Sequence, residues 1–228
     1  MTLPTTGNHK TMKSAQSVLK KALPLVAILR GVRPDEVCAI GHELVDAGFD
    51  IIEVPLNSQD AFRSIELLSN QFGNQVTCGA GTVTSTQQVH DVSQAGGKII
   101  VSPNTDIDVI STSKQLDMIS LPGCMTPSEA FHAIAAGADG LKFFPAEAIP
   151  PSTLKAMKVT LPSAVPLFAV GGVNDNNMLA YLNAGAHGFG IGSSLYKPNK
   201  PLTEIRQSAN NIVKAYHAAH QQHLQEHS

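Results

Sequence analysis

The chain has 228 residues, 43% hydrophobic and 15% charged, which is enough apolar side chain for one sizeable core and too much for a disordered chain. Sixteen Lys and Arg against eighteen Asp and Glu give a formal charge of −2, so there is no basic field for nucleic acid or an anionic membrane, and a small-molecule partner is expected. Three cysteines (Cys38, Cys78, Cys124) without C-x-x-C spacing, and no apolar run of membrane-spanning length, predict a cytoplasmic protein with buried, inert thiols.

Residues 1–13 read as a flexible tail, and 14–228 as one domain that opens with an extra N-terminal helix. Short β-prone runs then recur: LVAIL (25–29), DIIEV (50–54), VTCGA (76–80), KIIVS (98–102), DMISL (117–121), DGLKF (139–143), PLFAV (166–170) and HGFGI (187–191). Amphipathic stretches separate them. In 34–46, Val37, Ile40 and Leu44 fall at helical spacing, and 126–136 begins with Thr126-Pro127 as cap and first-turn residue. Gly48, Gly96, Gly137 and Gly185 each follow an alanine two residues before the next strand, where a left-handed C-cap would stop a helix. Eight strand–helix units of this kind predict an α/β fold, a closed (β/α)8 barrel of TIM type, rather than an open doubly wound sheet.

In such a barrel the active site lies at the C-terminal ends of the strands, and side chains alternate between interior and helices. If Leu141 and Phe143 face the helices, Lys142 points inward; if Ile52 and Val54 face outward, Glu53 points inward; Arg30 stands at the rim just past the first run. These three could form only a structural ion network. Alternatively, Phe143, Phe144 and Pro145 desolvate the lysine near Arg30, lowering its pKa and freeing an amine for Schiff-base chemistry. FAVGGV (168–173) and GFGIGSSLY (188–196) end in Gly171-Gly172 and Gly192-Ser193-Ser194, at the two loops that commonly cradle phosphate in this fold. Thr82 in GAGTV either binds a substrate carboxylate or caps a helix. His217, His220, His223 and His227 fall in a polar terminal helix and read as solvated, so no metal is expected, and no nucleotide-binding fingerprint is present.

Taken in order, ILRG, EVPLNS, GAGTV, SPN, LPG, KFFPAEA, FAVGGV and GIGSSLY resemble the bacterial 2-keto-3-deoxy-6-phosphogluconate (KDPG) and 2-keto-3-deoxy-6-phosphogalactonate (KDPGal) aldolases. The resemblance implies a metal-free, cofactor-free lyase on a (β/α)8 barrel, usually a homotrimer, yielding pyruvate and D-glyceraldehyde 3-phosphate. It implies Lys142 as the imine-forming lysine and Glu53 as acid/base. Arg30 and Thr82 would hold the carboxylate end. Pro103, Phe144 and Val170 would also contact substrate, with Gly171, Gly172, Gly192, Ser193 and Ser194 around the phosphate. The gluconate type typically reads EVTLRT and PTGG; Asn57 and Val170 stand here in place of the arginine and the threonine, as in the galactonate type, whereas KFFPAEA is closer to the gluconate type. The reading is a KDPGal aldolase, with KDPG cleavage or dual specificity as the alternative. A phosphosugar isomerase or epimerase barrel and a non-catalytic phosphosugar binder are the other classes.

Overall fold

Apolar strands alternating with amphipathic helices bury both surfaces when the sheet curls into a barrel and the helices cover its outside. The computed structural model describes Leu19 and residues 23–227; the expected tail (1–13) and, Leu19 apart, the expected N-terminal helix lie outside the described residues. In chain order the elements are β1 (Leu25–Ile28), α1 (Pro34–Asp46), β2 (Ile51–Pro55), α2 (Ala61–Phe72), β3 (Thr77–Gly81), α3 (Thr86–Gln94), β4 (Ile99–Val101), α4 (Ile107–Gln115), β5 (Ile119–Leu121) and β6 (Gly123–Cys124). There follow α5 (Pro127–Ala135), β7 (Leu141–Phe143), a 3-10 turn (Ala146–Ala148), α6 (Pro151–Thr160), β8 (Leu167–Val170), α7 (Met178–Asn183), β9 (Gly188–Ile191) and α8 (Leu202–His227).

The local signals act as the sequence implies. Gly48, Gly96, Gly137 and Gly185 all have positive φ. After α1, Gly48 N–H bonds to Val45 O and Phe49 N–H to Leu44 O, both at 2.9 Å, which closes the helix and turns the chain straight into β2. At the start of α5, Thr126 and Glu129 form a capping box, with Thr126 N–H donating to Glu129 Oε2 at 2.8 Å. Cys78 and Cys124 are buried and Cys38 is half-buried; burial pushes the Cys124 thiol up to about 12. Among the described residues no helix is long and apolar enough to cross a membrane.

The sheet order is β5-β4-β3-β2-β1-β9-β8-β7-β6, with each pairing parallel. Alternation divides the strand side chains into two cores. Val26, Ile28, Ile51, Ile99, Val101, Ile119, Leu121, Phe168 and Val170, with Leu19, fill the barrel. Ala27, Ile52, Val54, Ile100, Leu141, Phe143 and Ala169 pack outward in the core beneath the helices.

The one departure follows the fifth expected strand. DMISL (117–121) supplies β5, which pairs with β4, and beyond Pro122 the chain forms an additional short strand, β6, that pairs with β7. One stretch of chain therefore serves both edges of the sheet. Asp139 N–H to Ser120 O (3.0 Å) and Lys142 N–H to Pro122 O (2.9 Å) close the seam between them. The buried Asp139 carboxylate reinforces it by accepting from Ser120 N–H at 2.8 Å and pairing with Lys114. Asp139→Ala leaves the buried Ser120 N–H without its partner, whereas half-buried Lys114 keeps Met118 O, so the substitution should cost about 2 kcal/mol, read as a lower urea midpoint at an unchanged m-value.

Candidate active site

Which side chains meet at the mouth follows from the alternation. Lys142 is the inward residue of β7 and Glu53 that of β2; they are only 6% and 2% exposed. Arg30, just beyond β1, is exposed at the rim. A cavity of about 370 Å³ opens there, lined by Arg30, Glu53, Lys142, Phe144, Val170, Gly171, Gly172, Gly192 and Ser193. These nine are among the residues selected from the sequence.

Three of the selected residues do not line it. Ser194 Oγ donates to Val173 O at 3.2 Å, tying the β9 loop to the β8 loop. Pro103 lies at the seam, where a Cβ on Gly123 would come within 2.4 Å of its carbonyl oxygen. Thr82 has left-handed backbone (φ 58) and does not cap α3; Ser85 does so, its hydroxyl accepting Gln88 N–H at 3.3 Å. Conversely, Glu147, Tyr196, Lys197 and Pro198 line the cavity but were not selected. Glu147 lies within KFFPAEA and Tyr196 ends GIGSSLY, with Lys197 and Pro198 just after it, but periodicity alone does not convert these places into a position at the mouth.

Space for the acid comes from β3, whose inward positions are Gly79 and Gly81. A Cβ on Gly81 would lie 1.9 Å from Glu53 Oε2, so the carboxyl occupies the volume that a side chain there would take. Glu53 Oε2 is buried and has no hydrogen-bond partner among the described residues. Burial pushes this carboxyl up to about 7, against the opposing pull of Lys142 and Arg30. Burial also lowers the Lys142 amine below the ordinary lysine range; Glu53 opposes that shift and Arg30 adds to it. The Lys142 Nζ stands 4.5 Å from the centroid of the Phe144 ring, which shields it from water. An amine inclined to be neutral and a carboxyl inclined to hold its proton thus share one dry wall, the pairing that addition to a carbonyl requires.

The opposite wall is built from loop backbone. Gly171 and Gly172 both have positive φ (101° and 69°), a conformation that glycine adopts without strain, and both line the cavity with backbone alone. Asn174 and Asn177 pin this loop by donating to Gly172 O at 3.1 and 2.9 Å.

A larger cavity, about 650 Å³, lies at the other end of the barrel beside Lys155, Lys158, His187, His223 and His227. It sits before β8 and β9, at the face that in this fold carries stability rather than chemistry, and no pair comparable to Lys142 and Glu53 faces it. His223 Nδ1 is 2.6 Å from Asn183 Oδ1, and His220 stacks on Tyr216. Among the described residues no group of three His, Cys, Asp or Glu side chains could hold a metal ion.

A family model for KDPG and KHG aldolases matches residues 15–207. The chain is similar to the 2-dehydro-3-deoxy-6-phosphogalactonate aldolase of Escherichia coli (strain K12), with 43% identity over 197 residues, covering 86% of this chain and 96% of the relative. Among solved structures, a native KDPGal structure superposes with a TM-score of 0.86 at 43% identity, covering 87% of this chain and 97% of that one. A KDPG aldolase from Legionella pneumophila, with pyruvate captured at low pH as a covalent carbinolamine, superposes with a TM-score of 0.75 at 27% identity, covering 90% and 97%.

The raised Glu53 carboxyl has a consequence for stability. Its folded pKa, about 7, exceeds the ordinary 4.5, so the native state binds the proton more tightly than the unfolded chain does. The contribution is fully present below about pH 4.5 and is lost as pH rises through 7. Glu53→Gln has no charge to bury, so its stability relative to wild type should rise between pH 5 and 8 by on the order of 2 kcal/mol, measured by urea unfolding at both pH values.

Proposed function

We propose that this chain, which belongs to the KDPG and KHG aldolase family, cleaves 2-keto-3-deoxy-6-phosphogalactonate to pyruvate and D-glyceraldehyde 3-phosphate through a lysine Schiff base. The observation that carries the proposal is the burial of Lys142 and Glu53 together at the mouth of the cavity. A carbinolamine is the adduct of an amine with a carbonyl, and its capture with pyruvate in a KDPG aldolase supports amine chemistry.

In this mechanism the neutral Lys142 amine attacks the ketone carbon to give a carbinolamine. Protonated Glu53 gives its proton to the departing hydroxyl, water leaves, and a positively charged iminium forms. The Glu53 carboxylate then takes the proton from the hydroxyl on the fourth carbon. The bond between the third and fourth carbons breaks, its electron pair enters the iminium, and glyceraldehyde 3-phosphate departs. Protonation of the remaining enamine and hydrolysis release pyruvate and return the amine. The iminium is the electron sink, so no metal ion is required for that role. Gly171, Gly172, Gly192 and Ser193, which line the cavity, hold the phosphate, while Arg30 serves the carboxylate end and Phe144 packs against the reacting carbons. Phosphate binding positions the reacting centre.

The chain works as a single barrel domain. Exposed apolar Ile107, Met125 and Phe131, on or beside neighbouring α4 and α5, offer a subunit contact of the kind a homotrimer needs, and three free thiols support the cytoplasm as its compartment.

Borohydride reduction with pyruvate should add a three-carbon acid to the peptide containing Lys142, with or without exhaustive chelation, and Lys142→Ala should abolish the label. Label at Lys98 or Lys155 instead, or dependence on added zinc or manganese, would overturn the mechanism.

The epimers differ at the fourth carbon, so discrimination depends on the polar groups that face its hydroxyl. Val170 is the inward residue at the end of β8, packed where Gly190 leaves room, and presents only methyl groups to the cavity. Its place corresponds to the threonine of the gluconate type. The galactonate epimer should therefore be cleaved at least as well as the gluconate epimer, and Val170→Thr should shift the ratio of kcat/KM values toward gluconate by about ten-fold, one modest hydrogen bond. A wide wild-type preference for the gluconate epimer would reverse the substrate assignment and leave the reaction type standing.

A further inference from the structure

We infer that Asn57 is the positioning residue for Arg30: its amide oxygen holds the guanidinium at the rim without cancelling its charge, so the cation stays free to receive the carboxylate of the substrate. The inference rests on the aldolase reading above.

Four arginines occur in the chain, and three of them meet carboxylates. Arg33 pairs with Asp35 and Glu36, Arg63 with Glu66, and Arg206 with Glu43. Arg30, the one that lines the cavity, instead donates from Nη1 to the side-chain oxygen of Asn57 at 2.7 Å. The distinction matters electrostatically. A carboxylate in that place would hold the guanidinium equally well, but it would neutralise it and repel an incoming acid. A neutral amide supplies the same acceptor geometry with no net charge. The guanidinium has five N–H donors in a rigid fork, so committing one to Asn57 leaves others for a two-point contact with a carboxylate.

The backbone is fixed in the same way. Gly31 N–H donates to Ser58 Oγ at 2.8 Å, so two consecutive residues beyond β1 are bound to two consecutive residues beyond β2. Below them Leu29 N–H bonds to Glu53 O at 3.0 Å, which joins this anchor to the strand that carries the acid. On its other side, Gly31 lies so close to Pro198 that a Cβ would come within 2.8 Å of the ring. The root of Arg30 is thus clamped by three segments, and Asn57 holds its tip.

The test is the pyruvate dependence of borohydride trapping in the full-length protein, for wild type, Asn57→Ala, Asn57→Asp, Asn57→Gln, Arg30→Ala and the double variant Arg30→Ala/Asn57→Ala. Asn57→Ala should raise the half-saturating pyruvate concentration by about ten-fold, the equivalent of one charge-assisted contact, with the loss falling on KM rather than on the trapping rate at saturation. Asn57→Asp should be worse than Asn57→Ala, because it neutralises Arg30, and Asn57→Gln should recover part of the loss. The double variant should match Arg30→Ala alone, since Asn57 acts only through the guanidinium. Inhibition by glycerol 3-phosphate, which has no carboxylate, should be the same in wild type and Asn57→Ala. An unchanged KM, independent effects that multiply in the double variant, or a comparable loss of glycerol 3-phosphate binding would each overturn the inference. A wild-type protein that pyruvate and borohydride do not label would overturn the aldolase reading itself.

Discussion

Desolvation of an amine and a carboxyl at one barrel mouth is the constraint on which the rest of the structure depends. Each group, buried alone, is disfavoured in its charged form, so the Lys142 amine moves down and the Glu53 carboxyl moves up. Their attraction opposes both shifts but does not reverse them. Glu53 Oε2 has no hydrogen-bond partner among the described residues to stabilise an anion, and Arg30 adds positive charge that further disfavours an ammonium. The result is an amine and a carboxyl that burial shifts in opposite directions, each toward its neutral form.

Such a pair costs stability, and the fold provides for it through shape. The barrel interior is otherwise filled by branched and aromatic side chains, but β3 and β9 present Gly79, Gly81, Gly188 and Gly190 inward. Gly81 and Gly190 leave the volume that Glu53 and Val170 enter, a Cβ on Gly190 lying 2.7 Å from a Val170 methyl, while Gly79 and Gly188 fit against the Ile99 and Pro24 carbonyls. The missing side chains on two strands are thus taken up by neighbouring atoms, which lets the Glu53 carboxyl lie within a close-packed barrel.

Much of this was legible in the sequence because it depends on local periodicity. A period of two assigned Lys142 and Glu53 to the interior, and the Ala-Gly endings marked helix caps that the backbone adopts. What was not legible depends on partner choice. DMISL reads as one strand, and only the neighbours reveal that the chain changes edge at Pro122. Thr82 illustrates another limit: alternation gives the strand end, but the left-handed turn at φ 58 sends the following loop on a course that no pattern of polarity encodes. Glu147, inside KFFPAEA on the 3-10 turn, and Lys197, just past GIGSSLY, reach the cavity along paths set by packing against other elements, which the motifs alone do not reveal.

The place of the lysine relative to the seam ties closure to chemistry. β7 is bound on one side by the four-residue β8 and on the other by only the two residues of β6. Lys142 N–H itself donates across that weaker side to Pro122 O. Two residues before β7, buried Asp139 bolts the seam by pairing with half-buried Lys114, and Gly123 fits against the Pro103 carbonyl where no side chain could. Were the seam to fray, water would reach Lys142 Nζ, the desolvation that lowers its pKa would vanish, and the amine would take up a proton. The residues that close the barrel and the buried lysine therefore share one short stretch of hydrogen bonds, so the burial of the amine is tied to barrel closure as well as to its immediate neighbours.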